Sequence, residues 1–170
     1  AGDKLLVILA RDLGVKELVT TVDTSMMVTE MGFKTTITPV GDSYVSNEMK
    51  RGAQFGGEPC GAWIFPRISL CPDGIYAAAR IAAITQRQKL SVLADEIPNL
   101  PLKRTSIDAN GIVMSQLKSR LKSLNPVSII DIDGLKLNFS DGWLLVRSSG
   151  TEPKIRLTVE AKEEARVRQL

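Results

Sequence analysis

The segment from Arg147 to Arg156 carries groups suited to binding a phosphate ester. Such an ester bears roughly 1.5 to 2 negative charges near neutral pH, so it is bound by guanidinium groups, hydroxyls and free backbone N–H groups. Arg147 supplies the guanidinium, and Gly150 permits a positive φ that would turn consecutive N–H groups toward an anion. The hydroxyls come from Ser148, Ser149 and Thr151. The segment therefore predicts a phosphate-binding loop between two strands.

The strand that follows this loop adds two cations. Alternation along residues 154–160 places Lys154 and Arg156 on one face of the strand, while apolar side chains occupy the other. An ordinary turn with solvated charges is the alternative, and residue types and spacing alone leave it open.

A second segment, Phe55 to Gly61, surrounds one carboxylate with glycines at positions 56, 57 and 61. Glycine lets the backbone approach a ligand closely, and the Glu58 carboxylate can accept hydrogen bonds from adjacent sugar hydroxyls. Glu58 is accordingly a candidate sugar-binding residue. In the alternative interpretation, Glu58 caps the next element or pairs with a nearby lysine.

Three weaker candidates are interpreted structurally. Asp42 can reach a ligand, but capping of the helix that begins near it is favoured, by Asp42 or by Ser43. Cys60 has no histidine in the chain to activate it as a nucleophile. Asp131 and Asp133 stand beside a hairpin turn, where carboxylates ordinarily serve the turn itself. No metal site is predicted in this chain.

Composition excludes several classes of function. The 170 residues are 44% hydrophobic and 24% charged, which is typical of a globular protein. The net charge of +3 is too small to require nucleic acid as a partner, and the absence of histidine excludes Ser-His-Asp and Cys-His catalysis. No apolar run approaches the ~20 residues of a membrane helix. We expect a cytoplasmic protein with reduced cysteines and no membrane partner.

The first half of the sequence predicts alternating helices and strands. Asp3 is expected to cap a helix that ends at Gly14, and the order strand, helix, strand over residues 18–40 predicts a parallel pair. The remaining helices are expected over residues 45–51 and from the Asp73 cap to about residue 84. This half is therefore an α/β domain of the three-layer type.

The second half predicts a smaller α+β domain with an antiparallel meander sheet and helices. An amphipathic helix is expected over residues 113–124, and strands over residues 127–132, 135–140, 143–147 and 154–160. Asp133-Gly134 and Asp141-Gly142 are hairpin signals between the first three of these strands. The residues from Thr85 to Pro101 change in composition, so the domains are placed at residues 1–99 and 100–170.

Three segments together resemble the α-D-phosphohexomutase superfamily, which includes phosphoglucosamine mutase and phosphomannomutase. Arg147 to Arg156 is similar to its C-terminal phosphate-binding signature, and Gly56 to Gly61 to its sugar-recognition loop. Val40 to Val45 resembles a third family segment. The order and spacing agree over essentially the whole chain, as the third and fourth of four domains.

The resemblance implies a division of roles within a longer enzyme. In the family, hexose 6-phosphate and hexose 1-phosphate are interconverted through a bisphosphate, by a phosphoserine and a magnesium ion that belong to the first two domains. No catalytic residue is therefore implied in this chain, and Mg²⁺ would be held outside it. The binding residues implied for the phosphate are Arg147, Ser149, Gly150, Thr151 and Arg156, with Lys154 possible. Those implied for the sugar are Gly57, Glu58 and Cys60, with Asp42 possible.

Two features qualify these implications. Cys60 stands where the family generally has serine, which replaces a hydroxyl donor by a weaker thiol. Ala1 is not an initiator methionine, and residues 161–170 form a helical pattern without a cap, so we expect this chain to belong to a longer protein whose N-terminal domains complete the enzyme. By itself the chain is expected to be inactive. A complete, non-catalytic phosphosugar-binding regulatory module is the alternative.

Overall fold

The computed structural model describes residues 2–170, and these divide into two compact units that meet in sequence between Asn99 and Leu100. The first unit has five helices: α1 (Gly2–Asp12), α2 (Met26–Thr29), α3 (Asp42–Met49), α4 (Gly74–Thr85) and α5 (Leu90–Asp95). Its four strands are β1 (Glu17–Thr21), β2 (Lys34–Thr38), β3 (Phe55–Gly57) and β4 (Trp63–Ile64).

The sheet of the first unit has the order β2-β1-β3-β4. β1 pairs in parallel with both β2 and β3, which confirms the predicted parallel pair, and β4 is antiparallel. Val19 of β1 packs with Val45 and Met49 of α3 on one face. On the other face Phe55 contacts Phe65, and Phe65 contacts Tyr76 of α4. The sheet therefore lies between helices, as in a three-layer α/β domain.

The residues predicted to cap the helices of this unit are confirmed only in part. Asp73 is the N-cap of α4, since its carboxylate accepts a hydrogen bond from the Tyr76 N–H at 2.8 Å. The expectation that Asp3 caps α1 is wrong: Asp3 lies inside the helix, is buried, and accepts a hydrogen bond from the Ser25 N–H at 2.9 Å. Capping of α3 by Asp42 or Ser43 is also wrong, because the N-cap position belongs to Gly41.

The second unit is an antiparallel sheet with two helices. Its strands are β5 (Leu102–Asp108), β6 (Ser128–Ile130), β7 (Leu135–Phe139), β8 (Gly142–Ser148) and β9 (Lys154–Ala161), and its helices are α6 (Met114–Lys122) and α7 (Glu164–Gln169). The strand order is β5-β9-β8-β7-β6. Both hairpins predicted from Asp-Gly pairs form, joining β6 to β7 and β7 to β8.

The core of the second unit lies between its sheet and α6. Leu135, Leu137, Leu144, Val146 and Ile155 are buried there, with Met114, Leu117 and Leu121 of α6 packed against them. On the opposite face the Trp143 indole N–H donates to the Glu160 carboxylate at 2.7 Å, and both residues are buried. This cross-strand pair fixes the register of β8 against β9.

None of the helices within residues 2–170 combines the length and the apolar character that a membrane crossing requires.

Candidate functional site

Arg147 of β8 lies directly opposite Arg156 of β9. The register that pairs Trp143 with Glu160 brings these arginines together four residues further along, on the same face of the sheet. Like charges directly opposite each other destabilise a strand pair unless an anion offsets them. The end of this hairpin, formed by Arg147, residues 149–154 and Arg156, is therefore suited to a negative ligand. We call it the hairpin end.

Arg147 is held from one side by Asp133. Its Nη2 lies 2.9 Å from Asp133 Oδ2, and only 21% and 23% of the two side chains are exposed. The Arg147 Nε atom is buried and has no hydrogen-bond partner within residues 2–170. The guanidinium is thus fixed at one nitrogen and retains a donor that the protein leaves unsatisfied.

Arg156 contacts the connecting residues. Its Nε donates to Ser149 Oγ at 3.3 Å, and its Nη2 lies 3.4 Å from Glu152 Oε2. Lys154 Nζ lies 3.0 Å from the other oxygen of Glu152. The hydrogen bond from Lys154, and then its positive charge, lower the pKa of the Glu152 carboxyl, with a smaller contribution from Arg156. One half-exposed carboxylate therefore occupies the two cations that the sequence assigned to phosphate.

The backbone of the hairpin end differs from the predicted anion nest. Ser149 N–H is already bonded to Lys154 O at 2.8 Å, and Lys154 N–H to Glu152 O at 2.7 Å. Gly150 does not adopt a positive φ, so the expected inward turn of successive N–H groups is wrong for this conformation. Gly150 and Thr151 are both exposed. In this conformation, the groups of the hairpin end that could bind an anion are therefore mainly side chains.

In the first unit, Glu58 follows the last residue of β3 and is buried. One of its carboxylate oxygens accepts a hydrogen bond from the Gly41 N–H at 3.1 Å, at the start of α3. A tight loop supports it, with Glu58 N–H bonded to Ala62 O at 3.2 Å and Gly61 N–H to Glu58 O at 3.0 Å. Glu58 thus bonds to the N-cap residue of α3, a helix that precedes it in sequence, whereas the alternative interpretation placed its cap on the next element.

Other protein atoms occupy the space beside the two glycines that precede Glu58. A Cβ atom at Gly56 would lie 2.8 Å from Met49 Sδ, and one at Gly57 would lie 2.7 Å from Ala62 O. The Gly57 carbonyl accepts a hydrogen bond from the Thr20 hydroxyl at 2.8 Å. These glycines are needed for strand packing whatever they contribute to a ligand. Cys60, by contrast, is an exposed free thiol in the turn.

Glu58 stands where an α/β sheet ordinarily binds its ligand. The chain passes from β1 to β2 and then back across β1 to β3, and α/β sheets ordinarily bind ligands at the carboxyl ends of the strands beside such a reversal. Glu58 ends β3 there, while Asp42 follows β2 and is exposed. Asp23 follows β1 and accepts a hydrogen bond from Thr21 Oγ1 at 2.6 Å. The sequence pattern also marks Asp23 as a polar residue that follows a buried strand, although it was not singled out above.

The predicted residues thus form two groups. The hairpin end gathers the phosphate-binding candidates of the second unit: Arg147, Ser149, Gly150, Thr151, Lys154 and Arg156. The carboxyl edge of the first sheet, defined here by the residues that follow β1, β2 and β3, gathers Gly57, Glu58, Cys60 and Asp42. Within residues 2–170 no cluster of three or more His, Cys, Asp or Glu side chains could hold a metal ion.

Comparison with known proteins identifies the family of both halves of the chain. The family profile described as phosphoglucomutase/phosphomannomutase, alpha/beta/alpha domain III, matches residues 1–100. The profile described as the phosphoglucomutase/phosphomannomutase C-terminal domain matches residues 80–170. The chain belongs to the phosphoglucomutase/phosphomannomutase family.

The names of similar curated proteins are more specific than the name of the family. The probable phosphoglucosamine mutase of Methanosarcina barkeri is 46% identical over 96% of this chain and 39% of its own length. That of Methanothermobacter thermautotrophicus is 42% identical over 98% of this chain and likewise 39% of its length. The chain therefore spans about two fifths of these relatives.

Solved structures support the fold. A phosphoglucomutase/phosphomannomutase family protein from Burkholderia thailandensis superimposes with a TM-score of 0.80 at 26% identity, covering 98% of this chain and 39% of that one. An N-acetylglucosamine-phosphate mutase, solved in a substrate complex, gives 0.70 at 18% identity, covering 99% of this chain and 42% of that one. The predicted combination of an α/β and an α+β domain is confirmed.

Proposed function

We propose that this chain is the third and fourth domain of a phosphohexomutase that interconverts hexose 6-phosphate and hexose 1-phosphate through a bisphosphate intermediate. The names of its archaeal relatives favour a phosphoglucosamine substrate, and a phosphomannose substrate is the second choice. The chain supplies binding and positioning, while the nucleophilic serine and Mg²⁺ ligands lie in the N-terminal domains. The reaction is placed in the cytoplasm, where exposed thiols such as Cys60 and Cys71 stay reduced.

The observation that carries this proposal is the direct pairing of Arg147 with Arg156 across β8 and β9. Two guanidinium groups, with Lys154 beside them, match the charge of a phosphate dianion. Ser149 and Thr151 would add hydroxyl donors, and rotation of Glu152 away from Lys154 and Arg156 would free both cations. Gly150 would let the ligand approach, since apart from its two chain neighbours no heavy atom of the described residues lies within 4 Å of where its Cβ would stand.

The sugar would be bound at the carboxyl edge of the first sheet. The Glu58 oxygen that bonds to Gly41 N–H holds the carboxylate in place, and a carboxylate, whose two oxygens accept several hydrogen bonds, suits a pair of sugar hydroxyls. Cys60 and Gly57 would complete this contact, with Asp42 at its margin. When bound in the N-terminal domains, Mg²⁺ would neutralise charge on the phosphoryl group being transferred.

Calorimetric titration of glucosamine 6-phosphate into the 170-residue chain tests the proposal. Arg147→Ala removes charge-assisted hydrogen bonds worth about 1.5 to 3 kcal/mol each, so the affinity should fall at least about tenfold. Arg120→Ala is the matched control, because Arg120 is an exposed arginine of α6, and α6 packs on the other face of the sheet.

Two results would overturn the proposal. One is equal binding by the wild-type chain and Arg147→Ala. The other is mutase turnover by the purified chain at any Mg²⁺ concentration, because positioning alone does not transfer a phosphoryl group. Titration of mannose 6-phosphate and glucose 6-phosphate under the same conditions ranks the substrates.

A further inference from the structure

Asp133 reaches Arg147 from a different hairpin. It lies in the turn between β6 and β7, and its carboxylate meets the Arg147 guanidinium at 2.9 Å although the two residues are fourteen positions apart. Less than a quarter of either side chain is exposed, so solvent screens this pair less than it screens the pairs of Glu152.

The turn is fixed against the backbone of Arg147. Gly134 has a φ of +84°, and a Cβ atom there would lie 2.3 Å from Val146 O and 2.8 Å from Arg147 Cα. Only glycine permits this approach, so the position of Asp133 relative to Arg147 is set by close backbone packing. The carboxylate is consequently a rigid neighbour of the guanidinium.

Asp133 does not occupy the whole guanidinium of Arg147. It engages Nη2, and 21% of the Arg147 side chain stays exposed. Nε is buried and has no hydrogen-bond partner within residues 2–170, so a ligand reaches it only when the side chain shifts. Without Asp133, a long side chain repelled by Arg156 directly opposite would have many alternative orientations. Asp133 restricts them to one in which other N–H groups remain free for a ligand.

We propose that Asp133 is a positioning residue, which holds the Arg147 guanidinium in the orientation that binds phosphate. The proposal rests on the proposed function of the hairpin end. Its rival is that Asp133 only competes with the anion, as a nearby carboxylate would by charge alone.

The two alternatives predict opposite signs for Asp133→Ala. Removing a negative charge near an anion site should tighten phosphate binding if Asp133 merely competes. If Asp133 positions Arg147, the same change should weaken binding by about tenfold, because binding must then restrict the guanidinium itself. Asp133→Asn keeps an acceptor oxygen for Nη2, so it should stay within about threefold of the wild-type affinity.

The experiment titrates inorganic phosphate into the 170-residue chain and its variants by calorimetry, with thermal unfolding to confirm folding. Asp131→Ala is the matched control: it removes the same charge two residues away, where the carboxylate pairs with Lys118. In parallel, NMR of 15N-labelled arginine should show separate, slowly exchanging Nη signals for Arg147 in the wild type. These signals should average in Asp133→Ala.

Unchanged or tighter phosphate binding by folded Asp133→Ala would overturn the proposal, as would wild-type Nη signals in that variant. Failure of the proposed function has a different signature, in which neither the wild-type chain nor Arg147→Ala binds phosphate. The inference about phosphate then falls with it.

Discussion

The Glu58 carboxylate accepts a hydrogen bond from the Gly41 N–H at 3.1 Å and so joins two segments separated by α3. Gly41 is the N-cap of α3, where unsatisfied backbone donors favour a negative group. Glu58 is therefore both a buried structural group and the candidate acceptor for sugar hydroxyls. These two roles can be separated by mutation.

Glu58→Gln should weaken glucosamine 6-phosphate binding by about tenfold while leaving inorganic phosphate binding unchanged. The amide keeps an acceptor for Gly41 N–H but loses the negative charge that strengthens hydrogen bonds from sugar hydroxyls. Glu58→Ala should in addition cost about 1 to 3 kcal/mol of unfolding free energy, because it removes the acceptor of that N–H group. Calorimetry and denaturant unfolding measure the two effects.

Glu30→Gln is the control, since Glu30 is an exposed carboxylate of the same unit. A parallel loss of affinity for both ligands in Glu58→Gln would contradict a sugar-specific role.

Much of the fold could be predicted because its signals are local. Asp73 precedes an alanine-rich helix and caps it, and both Asp-Gly pairs form hairpins. β5 was missed because most of its residues are exposed on both faces, so hydrophobic alternation is absent. β3 was missed because its glycines indicate a loop, whereas their lack of a side chain is what lets α3 and Trp63 pack against the strand.

The candidate site was predictable in residue types but not in partners. Arg147 and Arg156 were assigned to phosphate from their chemistry, yet their direct pairing depends on the register that Trp143 and Glu160 help to fix. Asp133 was interpreted as turn chemistry, because its contact with Arg147 arises only when β7 pairs with β8. The backbone conformation of the loop was harder to predict, since Gly150 was expected to adopt a positive φ and does not.

Cys60→Ser should raise the affinity for glucosamine 6-phosphate by about two- to fivefold, because a hydroxyl is a stronger hydrogen-bond donor than a thiol. Cys60 is exposed, so its substitution should leave stability unchanged and the melting temperature should stay constant. Cys71→Ser, at the other exposed cysteine, is the matched control. Unaltered affinity in Cys60→Ser would show that position 60 does not contact the sugar.

Gly134→Ala and Gly150→Ala should differ sharply although both glycines lie in hairpin connections of one sheet. Gly134 has a φ of +84° and no room for a Cβ, so its substitution should cost more than about 2 kcal/mol and displace Arg147. Gly150 has neither constraint, and Gly150→Ala should stay within about 0.5 kcal/mol of the wild type. Urea unfolding of both variants tests this, and a large loss in Gly150→Ala would indicate that its φ becomes positive in solution.

The pH dependence of phosphate binding should follow the ligand rather than the protein. Lys154 lowers the pKa of the Glu152 carboxyl, so this group is ionised at every pH above the ordinary glutamate pKa of about 4.3. Its stabilising ion pairs are lost only as the pH falls through the lower pKa of the folded state. The phosphate ester of glucose 6-phosphate gains a proton near pH 6, so the affinity for this ligand should decrease as the pH is lowered from 8 to 5.

Sulfate, which stays doubly charged over this range, should bind with constant affinity in the same calorimetric series. Glu152→Gln should bind both anions more tightly at every pH, because it releases Lys154 and Arg156 from a carboxylate that competes for them. The midpoint of its phosphate profile should not move. A shifted midpoint, or a sulfate affinity that falls with phosphate, would instead assign the titration to a protein group at the hairpin end.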